Sequence, residues 1–85
     1  MRLETFAAKH NFEIVDCSDT LPEDSGFDAK LWLYQVDNDS EPAAALYVKG
    51  ETYTLRTVWA FKAESDKTFT ESELKALLKR NRNVA

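Results

Sequence analysis

The sequence predicts one α+β domain over residues 1–85. It is expected as two layers, in the order α-β-β-β-β-α, with an antiparallel sheet and two helices packed on one face. Three observations lead there. A helix-start signal precedes a leucine stripe at residues 70–82, runs of alternating polarity separated by turn residues fill the middle, and 85 residues leave room for a single core.

Residues 2–10 read as a short helix, because Leu3, Phe6, Ala7 and His10 recur at the spacing of one helical face. So short a helix is unstable alone in water and must dock. Asn11 suits its end. From Phe12 to Cys17 the chain alternates, with Phe12 and Ile14 on one side and Glu13 and Val15 on the other, as a strand does. The stretch 18–28, SDTLPEDSGFD, reads as a loop pinned by Leu21 and Phe27. Ala29–Val36 is a second strand, DNDSEP at 37–42 a turn, and Ala43–Lys49 a third strand. Gly50-Glu51 suits a two-residue hairpin loop leading into a fourth strand over Thr52–Phe61. That hairpin sets Lys49 against Thr52, Val48 against Tyr53, Leu46 against Leu55 and Ala44 against Thr57, and the apolar pairs then share one sheet face.

A polar loop over 63–67 precedes the last helix. Thr70-Glu71-Ser72-Glu73 has the form of a capping box, in which Thr70 and Glu73 satisfy one another's amides. Phe69 and Leu74 flank it as a hydrophobic staple. Glu71 and Lys75 are ordered for an ion pair one turn apart, and Leu74, Leu77 and Leu78 form the buried stripe.

The net charge of −4 is unevenly placed: residues 13–41 carry nine acids against Lys30 alone, whereas residues 42–85 carry eight bases against five acids. No apolar run approaches bilayer length, and charges at Glu4, Lys9 and Glu13 interrupt the first fifteen residues, so neither a membrane span nor a signal peptide is expected. One cysteine, Cys17, permits no intrachain disulfide and points to a reducing cytoplasm.

Catalytic and cofactor signatures are missing. Asp37, Asp39 and Glu41 begin like a calcium loop, but Pro42 replaces its glycine and Val48 its final glutamate. One histidine and one cysteine do not make a zinc site. His10 lies on the apolar face of the first helix, where packing explains it better than base catalysis. The two glycines, Gly26 and Gly50, form no phosphate-binding loop. The expectation is therefore no enzyme, no metal and no cofactor.

Two surfaces remain as candidate partner sites. One is the acidic stretch, with Asp19, Glu23, Asp24, Asp37, Asp39 and Glu41, suited to steering a basic protein or mimicking a row of phosphates. The other depends on which way the second strand faces. With Trp32, Tyr34 and Val36 toward the core, Leu31 and Leu33 point away together with Ala45 and Tyr47, as an apolar patch either covered by the 18–28 loop or open to a partner. The expected function is a small acidic cytoplasmic protein-interaction module, acting as an inhibitor, adaptor or accessory factor, with homodimerisation through the same patch as an equal use of it. The alternative is nucleic-acid binding through Lys75, Lys79, Arg80 and Arg82, against which stand the sequence pI near 4.9 and the dipole of the last helix, itself a sufficient reason for basic residues there.

Overall fold

A computed structural model describes residues 2–80. The first helix, α1 (Leu3–Lys9), buries Leu3 and Ala7. It ends where Asn11 turns to a left-handed conformation, φ 71°, one that asparagine tolerates better than most residues. Asn11 also ties the chain forward: its carbonyl accepts from the Val36 amide at 3.0 Å, and its side-chain amide donates to Asp37 Oδ2 at 2.6 Å.

The strands are β1 (Phe12–Asp16), β2 (Ala29–Gln35), β3 (Ala44–Lys49), β4 (Thr52–Thr57) and β5 (Thr68–Thr70), followed by α2 (Glu71–Arg80). They form one five-stranded antiparallel sheet in sequence order, β1-β2-β3-β4-β5. The predicted class thus stands, with one more strand than expected. The β3–β4 hairpin has the expected register, Lys49 with Thr52 through Ala44 with Thr57. Gly50 opens its loop at φ 59°, a region where a side chain is strained.

One sheet face and both helices enclose the core: Phe12, Leu33, Leu46 and Leu55 from the strands meet Leu3, Ala7, Leu74, Leu77 and Leu78 from the helices. The α2 start is the capping box read from the sequence. The Thr70 amide donates to Glu73 Oε1 at 2.9 Å, and the Glu73 amide donates to Thr70 Oγ1 at 3.2 Å. The Glu71–Lys75 ion pair forms at 3.4 Å.

Three expectations fail. The fourth strand stops at Thr57 rather than Phe61, because the amides of Val58, Trp59 and Ala60 all donate to the Ala43 carbonyl at 3.1 Å and curl the chain away from the ladder. Phe61 then takes a left-handed conformation, φ 58°, and its ring packs 5.9 Å from that of Phe12. The loop expected over 63–67 starts within a 3-10 turn at Lys62–Glu64, and between it and α2 stands an unexpected strand, β5, paired to β4 through Thr52–Thr70, Tyr53–Phe69 and Thr54–Thr68.

The third failure concerns β2, whose faces are the reverse of those expected. Leu31 lies opposite Leu46 and Leu33 opposite Ala44, so both point to the helices; Leu33 is fully buried. Trp32 lies opposite Ala45 and shares the other face with Tyr34, while Val36 is exposed rather than in the core. The physical reason is that β2 is apolar on both sides. Nothing in its own alternation chooses a face, and leucine loses more by exposure than rings whose polar ends reach water.

Candidate functional site

The sheet face away from the helices carries no second layer among the described residues. Its register sets Val15, Trp32, Ala45 and Arg56 in one row, and Lys30, Tyr47, Thr54 and Thr68 in the next. Glu13 and Tyr34 form a third. Trp32, Tyr34 and Tyr47 are half-buried, and Val15 is 40% exposed. The Lys30 ammonium lies 4.4 Å from the centre of the Trp32 ring and 5.5 Å from that of Tyr47. A cation at that range is held by the negative faces of the rings, which orders all three side chains.

The 17–28 loop reaches only one end of this face. Its 3-10 turn at Ser18–Thr20 is fastened to β2: the Cys17 amide donates to the Lys30 carbonyl at 2.9 Å, and the Lys30 amide donates to Ser18 Oγ at 3.0 Å. Asp28 accepts from the Gly50 amide at 2.7 Å, and Phe27 packs with its ring centre 5.2 Å from that of Tyr47. The Phe27 contact shields Tyr47 in part. Ala45 and Tyr47 point to the face away from the helices, as expected, but they stand beside Trp32 and Lys30, not beside Leu31 and Leu33, and Ala45 is buried there at 3% exposure. The sequence signal for this was present in the β3–β4 hairpin, which fixes Ala45 and Tyr47 away from the core. The facing of β2 carries Gln35 into the core side, 5% exposed, and leaves Val36 exposed.

The acidic residues divide between two ends of the sheet. Asp19, Glu23 and Asp24 belong to the loop entering β2, whereas Asp37, Asp39 and Glu41 belong to the turn leaving it. The seven residues of β2 separate the groups by roughly 20 Å at the usual strand rise. Some acids have local tasks: Asp37 accepts from Asn11, Asp28 from Gly50, and Asp16 from the Ser18 amide at 2.8 Å. The Ser18 side chain and backbone hold the Asp16 carboxyl below its ordinary range. Asp19, Glu23, Asp24, Asp39 and Glu41 are exposed.

The basic run on α2 also divides. Lys75 turns back onto the protein, 3.4 Å from Glu71 and 5.6 Å from the centre of the Phe6 ring, with its side chain 20% exposed. Lys79 and Arg80 face solvent at the helix end, and Arg82 lies outside the described residues.

Among the described residues no group of three or more His, Cys, Asp and Glu side chains is gathered as metal ligands would be. His10 is half-buried, its ring tilted 4.5 Å from that of Phe6. Cys17 is buried, which pushes its thiol above the ordinary range, with Lys30 opposing in part. A groove between the β3–β4 hairpin and the start of α2 is lined by Gly50, Glu51, Thr52, Tyr53, Thr70 and Glu71. There the Tyr53 hydroxyl donates to Glu71 at 3.4 Å. Burial first, then the Glu71 carboxylate, push its phenol up, so it stays protonated and is no base at neutral pH.

No helix among the described residues is long and apolar enough to cross a membrane. Comparison of the chain with protein-family models, curated proteins and solved structures gives no significant match.

Proposed function

We propose that this chain is a non-enzymatic protein-binding module, an inhibitor, adaptor or accessory factor, that engages a basic protein through the open sheet face. The observation that carries the reading is the cluster of Trp32, Tyr34, Tyr47 and Val15 on a face without a covering layer among the described residues. Tryptophan and tyrosine are the side chains that most often dominate a protein interface, because they bury much area for little lost rotational freedom. Exposed carboxylates stand at both ends of that face: Asp19, Glu23 and Asp24 at one, Asp39 and Glu41 at the other. In that arrangement the rings anchor the partner and the carboxylates steer it. Tyr47 keeps its place in the proposed contact and Trp32 and Tyr34 join it, whereas Ala45, 3% exposed, offers a partner no surface, and Leu31 and Leu33 leave it for the core. Neither a cofactor nor a metal takes part.

The test compares two variants with the wild type. Trp32→Ala with Tyr34→Ala strips the face, and Lys79→Glu with Arg80→Glu reverses the charge of the exposed helix end. A partner captured from the native host is purified, and its affinity is measured by titration calorimetry. The expected result is a loss of about 2 kcal/mol or more, roughly thirtyfold, for the face variant. The helix variant should bind as the wild type does, and added salt should slow association more than it speeds release. Tight binding of DNA or RNA that falls steeply with salt and disappears in Lys79→Glu with Arg80→Glu would replace this reading with a nucleic-acid one.

A further inference from the structure

The sheet ends in two unlike edges. At one side β5 is only three residues long and merges into α2, and brevity is a common protection for an edge. At the other side β1 presents five residues, FEIVD, with no proline, lysine or bulge to block a neighbour. Its odd residues turn their backbone groups toward β2, as the bonds from the Val36 amide to the Asn11 carbonyl and from the Cys17 amide to the Lys30 carbonyl show. The amides and carbonyls of Phe12, Ile14 and Asp16 consequently point outward, where no strand lies beside them among the described residues.

Beside this row of backbone groups runs a groove of about 410 Å³, lined by Glu4 and Ala8 of α1 and by Phe12, Glu13, Ile14 and Val36. Apart from its two carboxylates the lining is apolar. Phe12 is buried in the core, so it offers the groove its backbone more than its ring, whereas Ile14 is half-buried and Val15 and Val36 are exposed. The charges on β1 are both acids, Glu13 and Asp16, and both are exposed. Glu4 meets Arg2 at 3.6 Å, and Asp16 accepts from the Ser18 amide. Glu13 has no ion-pair partner among the described residues. Lys9 follows Ala8 on α1 but does not line the groove.

We infer that this edge takes an extended segment of a basic protein as a sixth strand, antiparallel to β1 as every other pair in the sheet is. Backbone and charge together choose that occupant. The outward amides and carbonyls are satisfied in full by another extended backbone. The carboxylates call for bases among its side chains; they repel phosphates, and they reject a second β1, which brings acids and no cation. In an antiparallel addition the residue opposite Ile14 exchanges two hydrogen bonds with it and turns its side chain to the groove, while its neighbours stand beside Glu13 and Val15 on the other face. The segment therefore carries a base opposite Glu13, a second base opposite Asp16, and apolar side chains opposite Ile14 and Val15. The position opposite Glu13 discriminates most. It is a non-hydrogen-bonded pair, in which side chains approach closely, and opposite charges there stabilise where like charges repel. In such additions main-chain hydrogen bonds supply the affinity and alternate side chains the specificity. This edge site is separate from the aromatic face and does not depend on the function proposed there.

The probe is a fluorescein-labelled, C-terminally amidated peptide, Lys-Val-Val-Lys-Val, whose residues in order face Asp16, Val15, Ile14, Glu13 and Phe12. Fluorescence anisotropy should show saturable binding that disappears when both lysines are replaced by glutamate. Glu13→Lys should weaken it at least tenfold, and a peptide with glutamate in place of its second lysine should recover the loss. N-methylation of the central valine, whose amide faces the Ile14 carbonyl, should abolish binding. N-methylation of the next residue, whose amide points away from β1, should leave it unchanged. Glu51→Lys, the same charge change on the exposed hairpin loop, and Trp32→Ala with Tyr34→Ala should bind as the wild type does. Circular dichroism confirms that each variant is folded. Absence of binding at millimolar peptide overturns the inference. So does an equal loss in Glu13→Lys and Glu51→Lys, which leaves only diffuse attraction, or indifference to N-methylation of the central valine. Loss in the Trp32→Ala, Tyr34→Ala variant overturns it by moving the peptide to the aromatic face. A wild type whose mass doubles from 9.7 kDa in sedimentation equilibrium and that then refuses the peptide overturns it in favour of a second copy.

Discussion

Phe61 shows how one side chain can oppose the backbone that carries it. It is a buried aromatic held at φ 58°, a left-handed conformation costing about 1–2 kcal/mol for a residue with a Cβ. Its ring closes the core against Phe12, and its carbonyl accepts from Thr57 Oγ1 at 3.0 Å, so packing and a hydrogen bond together offset the strain. Truncation should therefore reverse a familiar order. Phe61→Ala loses the ring and keeps the strain, for a loss of about 3–4 kcal/mol. Phe61→Gly loses the same ring but releases the strain, and should be more stable than the alanine variant by about 1 kcal/mol. Urea denaturation of the two proteins measures the difference; an alanine variant equal to or better than glycine would show that the left-handed conformation is not costly here. Cys17 offers a second check at this scale. Burial raises its pKa and leaves it 8% exposed, so a thiol reagent at pH 8 should modify native protein at least tenfold more slowly than protein in urea.

Elements were legible in the sequence where local chemistry and pattern agreed. The capping box is such a case, since both of its hydrogen bonds form between residues three apart. Thr70→Ala removes the cap and should lower stability by about 1 kcal/mol in urea denaturation. The Gly50-Glu51 hairpin was equally legible, and with it the placement of Ala45 and Tyr47 on the open face. The end of β4 was not, because a carbonyl far along the chain, that of Ala43, gathers the three amides that stop it. Nor was β5, three residues whose pairing is set by β4 rather than by any pattern of their own. The facing of β2 was illegible for another reason: Leu31-Trp32-Leu33-Tyr34 is apolar at every position, so either face satisfies it locally. Its true facing makes opposite demands of neighbouring residues. Leu33→Asp buries a carboxylate among Phe12, Leu46 and Leu55 and should unfold the protein by circular dichroism. Trp32→Asp, on the half-exposed face, should leave a folded protein.

At the scale of the whole molecule, the segregation of charge leaves its mark on the response to pH. Cys17 stands beside Asp16 and Asp19, and Tyr53 beside Glu71 and Glu4, and these neighbours add to the burial that raises both groups. Their ionisation would put negative charge where negative charge already lies, on a protein whose net charge is −4. A group raised in the fold stabilises it fully below its unfolded pKa and loses that contribution as pH climbs through the folded value. For a thiol and a phenol the loss begins above about pH 8.5 and about pH 10 respectively. Asp16 has the opposite sign: its depressed carboxyl helps above the unfolded value, and that help fades as pH falls below about 4. The thermal midpoint should accordingly be nearly flat between about pH 5 and pH 8 and then decline on the alkaline side in two stages. Cys17→Ala should remove the first stage and leave the second, while Tyr53→Phe should do the reverse. A midpoint profile in which Cys17→Ala and wild type fall in parallel from pH 8 to pH 10 would rule out the buried thiol as the cause and leave the alkaline decline to general repulsion among the carboxylates.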